Sequence, residues 1–293
     1  MKTTIDRLNN VIEYIEENLK EELSFDTLAD IYGNAKSVLQ KTFLNICDLS
    51  LSAYIRRRRL SEAMQDIRDG AKIIDIAANY QYNSADAFTR AFKLQHGITP
   101  SNARGNDVVV TYFPKIRFTF SIKGAEAMNY KIEERKATRI IGYKYFVSME
   151  QAKSNFIPSL WDALSNDQLH NLLEKSNHEI DGIIGINADM YNDGFDYYIA
   201  VTSDELATDE LDAFVIKEST WLKLHVEGAL RPKAIKLKEA YTNLFKEWLP
   251  NSNYEHSGIA EIEYYPDLFK DKTDDDFITE IWVSVNKVKE KQS

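Results

Sequence analysis

Between residues 4 and 20 the apolar side chains Leu8, Val11, Ile12, Ile15 and Leu19 recur at i, i+3, i+4, i+7 and i+11, with polar or acidic residues between them. That spacing gathers them into one stripe of an amphipathic helix. Ser24 then stands as an N-cap for a short helix, FDTLADIY, and Gly33 supplies a turn in which positive φ costs little. AKSVLQKTFLNIC follows with Val38, Leu39, Thr42, Phe43 and Ile46 at helical spacing, so the chain reads helix, tight turn, helix. The order repeats: KIIDIAANY is a short helix, QYNS turns, and ADAFTRAFKLQ is a helix with Phe88, Ala91 and Phe92 inward. Aligning the copies sets Leu39 on Phe88, Lys41 on Arg90 and Phe43 on Phe92, which argues for two equivalent units. SAYIRRRRLSEAMQDIRDG joins them as a helix through Tyr54, Ile55, Leu60, Ala63, Met64 and Ile67, ended by Gly70.

Past residue 104 the pattern changes. GNDVVVTYFPK, 105–115, has no clear period and reads as a linker. Beyond it apolar and polar residues mostly alternate. FTFSIKG, MNYKIEER and ATRIIGYKYFVS read as strands, KSNFIPSLWDALSNDQLHNLLEKS as one long helix, and GIIGINADM and DYYIAVTS as a strand pair. FVIKES, TWLKLHVEG, a helix across KAIKLKEAYTNLFKEWL, and the strands GIAEIEYY and ITEIWVSV then repeat the order. The expected fold is thus an all-α double helix-turn-helix domain over 1–104, the linker, and an α+β domain over 116–293. The latter is built of two pseudo-repeated strand-strand-helix-strand-strand halves around a shared cleft, a natural ligand site.

Charge sharpens this division. The chain of 293 residues carries a net charge of -10, yet residues 34–105 hold eleven Lys and Arg against six acids. One basic segment in an acidic chain fits a surface that meets phosphate. Each second helix can lie in a major groove, its first turns at base edges and its basic residues at phosphate; a bundle with charged faces has the same periodicity. No basic stretch precedes an apolar run at the N-terminus, and no stretch of 18 residues lacks charge, so neither signal peptide nor membrane span is expected and the protein is placed in the cytoplasm.

Chemistry of other kinds lacks its motifs. His96, His170, His178, His225 and His256 have no metal-ligand spacing, and neither HExxH, GxxxxGK[ST], GxGxxG nor GxSxG occurs. No metal, cofactor or catalytic residue is expected. The single cysteine, Cys47, reads as a small buried apolar residue.

From Leu23 to Arg104, and above all in YNSADAFTRAFKLQHGITPSNAR, the sequence closely resembles the DNA-binding domain of AraC/XylS-family transcription regulators; Ser84, Phe88, Arg90, Phe92, Lys93 and GITP at 97–100 carry the pattern. The resemblance implies double-stranded promoter DNA and RNA polymerase as partners. It puts Lys36, Ser37, Gln40 and Lys41 on the first recognition helix, and Asn83, Ser84, Ala85, Asp86, Thr89 and Arg90 on the second. Lys41 and Arg90 suit a base edge or a phosphate, Ser84 suits a helix N-cap or a DNA contact, and the run Arg56–Arg59 suits solvent or phosphate with at least one member packed. Where the family usually has glycine in the second turn this chain has Gln81, which at positive φ would cost about 1 kcal/mol.

Residues 116–288 resemble, more loosely, the GyrI-like effector-binding domains of bacterial regulators, through RIIGYKY, DYYIAV, EWLPNSNY, EIEYYPD and TEIWVSV. That resemblance implies a small hydrophobic or cationic effector met by aromatic walls and a buried carboxylate. Glu263 is the first candidate for the carboxylate and Glu280 the second; Tyr145, Trp161, Trp221, Tyr241 and Trp282 are candidate walls. Against this stands the alternation in AEIEYY, which puts Glu261 and Glu263 on one face of a strand, ordinarily the wet one. The reading is a DNA-binding transcription regulator with an effector domain. The alternative is a GyrI-like hydrolase or ligand-sequestering protein with an attached DNA-binding module, Glu263 then activating water.

Overall fold

A computed structural model describes residues 3–105, 108–119, 130–227, 235–266, 268 and 277–288. The chain separates into two compact units, one of residues 1–39 and 49–121, the other of residues 40–48 and 122–293.

The first unit is helical. Helix α1 (Thr4–Glu17) opens on a reciprocal capping box between Thr3 and Asp6 and buries Leu8, Val11, Ile12 and Ile15. Helix α2 (Phe25–Tyr32) is capped by the Ser24 hydroxyl and ends at Gly33, whose φ of 79° is the left-handed conformation that stops a helix. Helix α3 (Lys36–Cys47) begins in this unit. Helix α4 (Leu51–Arg68) is the spine. At one end Tyr54 and Arg58 hydrogen-bond to Glu16 of α1. At the other end Leu60, Ala63, Met64 and Ile67 pack with Phe88 and Phe92 of α6 (Ala85–His96) and with Ile76 of α5 (Ile73–Asn79). Full burial of each phenylalanine contributes about 2–3 kcal/mol.

Of the four consecutive arginines, Arg58 is 4% exposed and bridges Glu16 and Glu62, while Arg59 donates to the carbonyls of Leu19 and Glu21. Arg57 stacks over Phe113. The extended segment expected as a linker is tied down in this unit: the Phe113 carbonyl accepts from Arg58, its amide donates to Ser61, and Phe118 exchanges two hydrogen bonds with Asn9.

In the second unit the strands are β1 (Tyr130–Arg135), β2 (Thr138–Ser148), β3 (Ile183–Met190), β4 (Gly194–Thr202), β5 (Asp212–Ile216), β6 (Ser219–Glu227), β7 (Tyr254–Tyr265) and β8 (Ile278–Lys287). Among the described residues they form one antiparallel sheet in the order β1-β6-β8-β7-β3-β4-β2-β5. The order is symmetric about the β7-β3 seam: the first strand of each half crosses to pair with the other half at the far edge. That is the expected duplication of strand, strand, helix, strand, strand.

Two differences concern the elements between strands. The long helix expected over residues 153–176 is two, α7 (Phe156–Ala163) and α8 (Asn166–Leu173), because Leu164 turns extended and Ser165 starts a new capping box with Gln168. The second helix is α9 (Ile235–Asn243), continued by one π-helical turn, Leu244–Trp248. The strand expected at 118–124 has no strand structure at 118–119, and its remainder lies outside the described residues.

One face of the sheet is covered by helices. Trp161, Leu169 and Leu172 pack on Ile141, Tyr197, Ile199 and Tyr265, and Leu237, Leu244 and Phe245 pack on Leu222, Leu224, Ile281 and Val283. The other face holds Ile184, Ile186, Tyr198, Trp221, Ile262 and Trp282, side chains contributed largely by the strands themselves.

Candidate functional site

On α6 the 3.6-residue period sends Phe88, Phe92 and His96 inward, leaving Asn83, Ser84, Asp86 and Arg90 exposed and Ala85 and Thr89 partly exposed on one outward face. The Ser84 hydroxyl accepts from the Ala87 amide, so Ser84 caps the helix. Gln81 does occupy the left-handed region, with φ 65°, and its side chain donates to the Lys20 carbonyl at 2.7 Å. At the start of α3, Lys36 and Ser37 are partly exposed, Lys36 lying 3.4 Å from Asp26.

Gln40 and Lys41 do not share that exposure. They belong to the second unit, where Gln40 is 4% and Lys41 1% exposed. Gln40 Nε2 donates to Asn192 Oδ1 at 3.3 Å, and Lys41 Nζ to the Asn187 carbonyl at 3.4 Å. In this structure they lie off the open reading surface expected for them, because Asn187 of β3 and Asn192 just after it cover them. Cys47 is partly buried, and burial pushes its thiol up to about 12, so it is no nucleophile at neutral pH.

The carboxylates sit on β7. Its pleat turns Glu261, Glu263 and Tyr265 to the face covered by helices, overturning the expectation that this face is wet. Across the seam Asn187 pairs with Glu261 and Gly185 with Glu263; one strand further, Tyr197 pairs with Asn187. Gly185 is needed: a Cβ there would lie 2.3 Å from the Tyr197 hydroxyl and 3.2 Å from the Trp161 ring. Trp161 Nε1 donates to Tyr197 Oη at 2.8 Å, Trp161 and Tyr265 meet edge to face at 5.1 Å, and Tyr265 Oη donates to Glu263 Oε2 at 2.9 Å.

The two carboxyls differ in protonation. Burial, together with the charge of Glu261, pushes Glu263 up to about 7 against the opposing Tyr265 hydrogen bond; Tyr241 Oη, close by though outside hydrogen-bond geometry, also opposes it. Burial acts on Glu261 in the same direction, but His256, Lys41 and Asn187 outweigh it and hold Glu261 at about 2. Asn187 and Asn45 donate to its two oxygens at 3.1 and 3.3 Å, and His256 Nε2 lies 3.2 Å from Oε1. His256 Nδ1 accepts from the Gly258 amide at 2.9 Å, so the neutral ring carries its proton on Nε2, toward Glu261.

Of the expected ligand residues, Glu263, Trp161, Tyr241 and Tyr145 therefore share the helix-covered face, Tyr145 pairing with Tyr197. Glu280, Trp221 and Trp282 do not. Glu263 pairs with Ile281, so Glu280 and Trp282, one position to either side, point to the opposite face. There Trp282 Nε1 donates to Glu280 Oε2 at 2.7 Å, and Lys223 lies 3.6 Å over the Trp282 ring. The sequence pattern does not single out His256, Asn187, Tyr197 and Tyr265, and it marks Glu261 only as sharing a strand face with Glu263. The signal available was the i, i+2, i+4 spacing of Glu261, Glu263 and Tyr265. Among the described residues no cluster of three or more His, Cys, Asp or Glu side chains forms a metal site, and no helix is long and apolar enough to cross a membrane.

A helical unit with two turn-connected helix pairs has the architecture of a helix-turn-helix DNA-binding module, and the duplicated sheet with its helix-covered carboxylate that of a small-molecule-binding domain. Residues 28–106 match the profile of the helix-turn-helix domain, and residues 131–285, more than half the chain, match that of the integron-associated effector binding protein. The chain belongs to that effector-binding family, joined here to an AraC-type helix-turn-helix domain, and is a transcription regulator. The helix-turn-helix transcriptional activator AarP of Providencia stuartii is 39% identical over 101 residues, 34% of this chain and 75% of the relative. The right origin-binding protein of Escherichia coli K12 is 38% identical over 32% of this chain, which spans only 33% of that relative. The solved structure of SAV2435 bound to tetraphenylphosphonium is 25% identical, covers 54% of this chain and 94% of that one, and superposes with a TM-score of 0.47.

Proposed function

We propose that this regulator reads promoter DNA through residues 1–104 and responds to a hydrophobic organic cation held by the Glu261–Glu263 pair in the domain beyond residue 115. The observation that carries this is two carboxyls two residues apart on a strand face roofed by helices, with Trp161, Tyr197, Tyr241 and Tyr265 around them. A carboxyl buried without a full cation partner is costly, and a bound cation relieves that cost while the ring faces add cation-π attraction.

Asn83, Ala85, Asp86, Thr89 and Arg90 on α6, with Lys36 and Ser37 on α3, are the proposed DNA contacts, and Ser84 fixes the helix end that meets the duplex. Contact with RNA polymerase, a cytoplasmic setting and a non-enzymatic role complete the reading. The small-molecule part is tested by titrating tetraphenylphosphonium into the full chain and following tryptophan fluorescence and heat. Saturable binding that weakens by tenfold or more in Glu263→Gln supports it; equal binding by that variant refutes the assignment.

A further inference from the structure

Resting on that reading, we propose that Lys41 is the effector site's own cation: the 40–47 part of α3 occupies the carboxylate site, and a monovalent organic cation binds by exchanging with the Lys41 ammonium. Three observations converge on it. Lys41 is 1% exposed and among the largest fully buried side chains; burial lowers its pKa against the opposing charge of Glu261, and its own charge helps hold the buried Glu261 well below the ordinary carboxylate range. Asn45, one helical turn further, donates to the same carboxylate, so two residues on one face of α3 address Glu261.

The packing is also poorly satisfied. An ammonium has three donors, yet among the described residues Lys41 makes a single hydrogen bond, 3.4 Å long. Among the described residues Gln40 Oε1 and Asn187 Oδ1 are buried without hydrogen-bond partners, and His256 Nε2 reaches Glu261 only at 3.2 Å outside hydrogen-bond geometry. Buried polar groups in a settled core are almost all paired. Incomplete pairing at Asn187 and His256, the first bonded to Lys41 through its carbonyl and the second acted on by its charge, marks a contact that a better-fitting cation can replace.

The exchange also bears on DNA. Gln40 and Lys41 lie on the face of α3 that the repeat equates with the region of Arg90. A side chain 1% exposed cannot lie against a base edge or a phosphate. Release of Lys41 by a cation therefore returns two polar side chains to the reading face of α3, and it links effector and DNA affinity through one residue.

The experiment is amine labelling of the full-length protein with acetic anhydride, each lysine followed by mass spectrometry, with and without saturating tetraphenylphosphonium whose binding is measured on the same sample. Lys41 labels at least tenfold more slowly than Lys93 in the free protein and approaches the Lys93 rate when the cation is bound. Lys41→Met binds the cation roughly tenfold or more tightly, since the internal competitor is gone and the competent fraction rises; a wild-type circular dichroism spectrum accompanies this variant. If the cation binds and Lys41 stays protected, the exchange is wrong while the effector reading stands. If the cation does not bind, both fall. Rapid labelling of Lys41 in the free protein overturns the exchange alone.

Discussion

Gly185 and Glu263 face each other across the β3-β7 seam, and the missing side chain of the first makes room for the ring that bounds the second. A Cβ on Gly185 would strike the Tyr197 hydroxyl at 2.3 Å, and Tyr197 is fully enclosed and held by Trp161. Gly185→Ala is therefore expected to destabilise the protein by about 1–3 kcal/mol through overpacking, and to weaken tetraphenylphosphonium binding beyond that loss. Denaturant unfolding and a binding titration on the same preparation check both; unchanged values would mean that the Tyr197 ring moves freely.

Protonation of the pair gives binding a pH dependence of definite sign. Glu263 is pushed up to about 7 from its ordinary 4.5, so the folded chain holds a proton that the unfolded chain gives up earlier. Its contribution to stability is full below about 4.5 and is lost as pH rises through about 7. A cation favours the ionised form, so cation affinity should rise between pH 6 and 8 with release of a proton, and Glu263→Gln should flatten that slope. Glu261, held at about 2, does the reverse: its contribution is present above about 4.5 and is lost as pH falls toward 2. Calorimetric titrations in buffers of different ionisation enthalpy count the proton directly.

At Gln81 the backbone adopts φ 65°, a conformation that glycine reaches without strain. Gln81→Gly should stabilise the protein by about 0.5–1 kcal/mol, the relief of about 1–2 kcal/mol being partly offset by loss of the hydrogen bond to Lys20 and by the freedom of glycine in the unfolded chain. A thermal melt decides it. A lower melting temperature would show that the side-chain contact outweighs the backbone strain.

Arg58 holds the spine helix to α1 by pairing with Glu16 at 2.7 Å in near-complete burial. Removing it leaves Glu16 without its counter-charge, so Arg58→Ala should cost about 3–5 kcal/mol of stability. The exposed Arg90→Ala should be close to neutral in the same denaturation assay.

Much of this was legible in the chain, and the physical reason differs by region. In the helical unit the stripe Leu8, Val11, Ile12, Ile15 and the caps Ser24, Gly33 and Ser84 are local signals, and local signals fix helices. The break at Leu164 was local too, but the apolar period on either side of Ser165 masked its capping box. In the sheet, alternation shows that Glu261 and Glu263 share a face without saying which face the helices cover. That depends on long-range packing of Trp161 and Phe245. Register across β7 and β8 is non-local as well, which is why the sequence offers Glu280 as a second candidate carboxylate and Trp282 as a candidate wall while both stand on the opposite face of the sheet from Glu263. Burial of Gln40 and Lys41 left no trace in their spacing, which suits a DNA-reading helix equally well.

The most direct test of the central claim is selection of fragments from sheared bacterial genomic DNA by the purified full chain at near-physiological salt, beside Arg90→Ala. Enrichment of a few promoter fragments by the wild type, lost in the variant, is the predicted result. Retention of nothing, or of all fragments alike with the salt sensitivity of phosphate contacts alone, would contradict it.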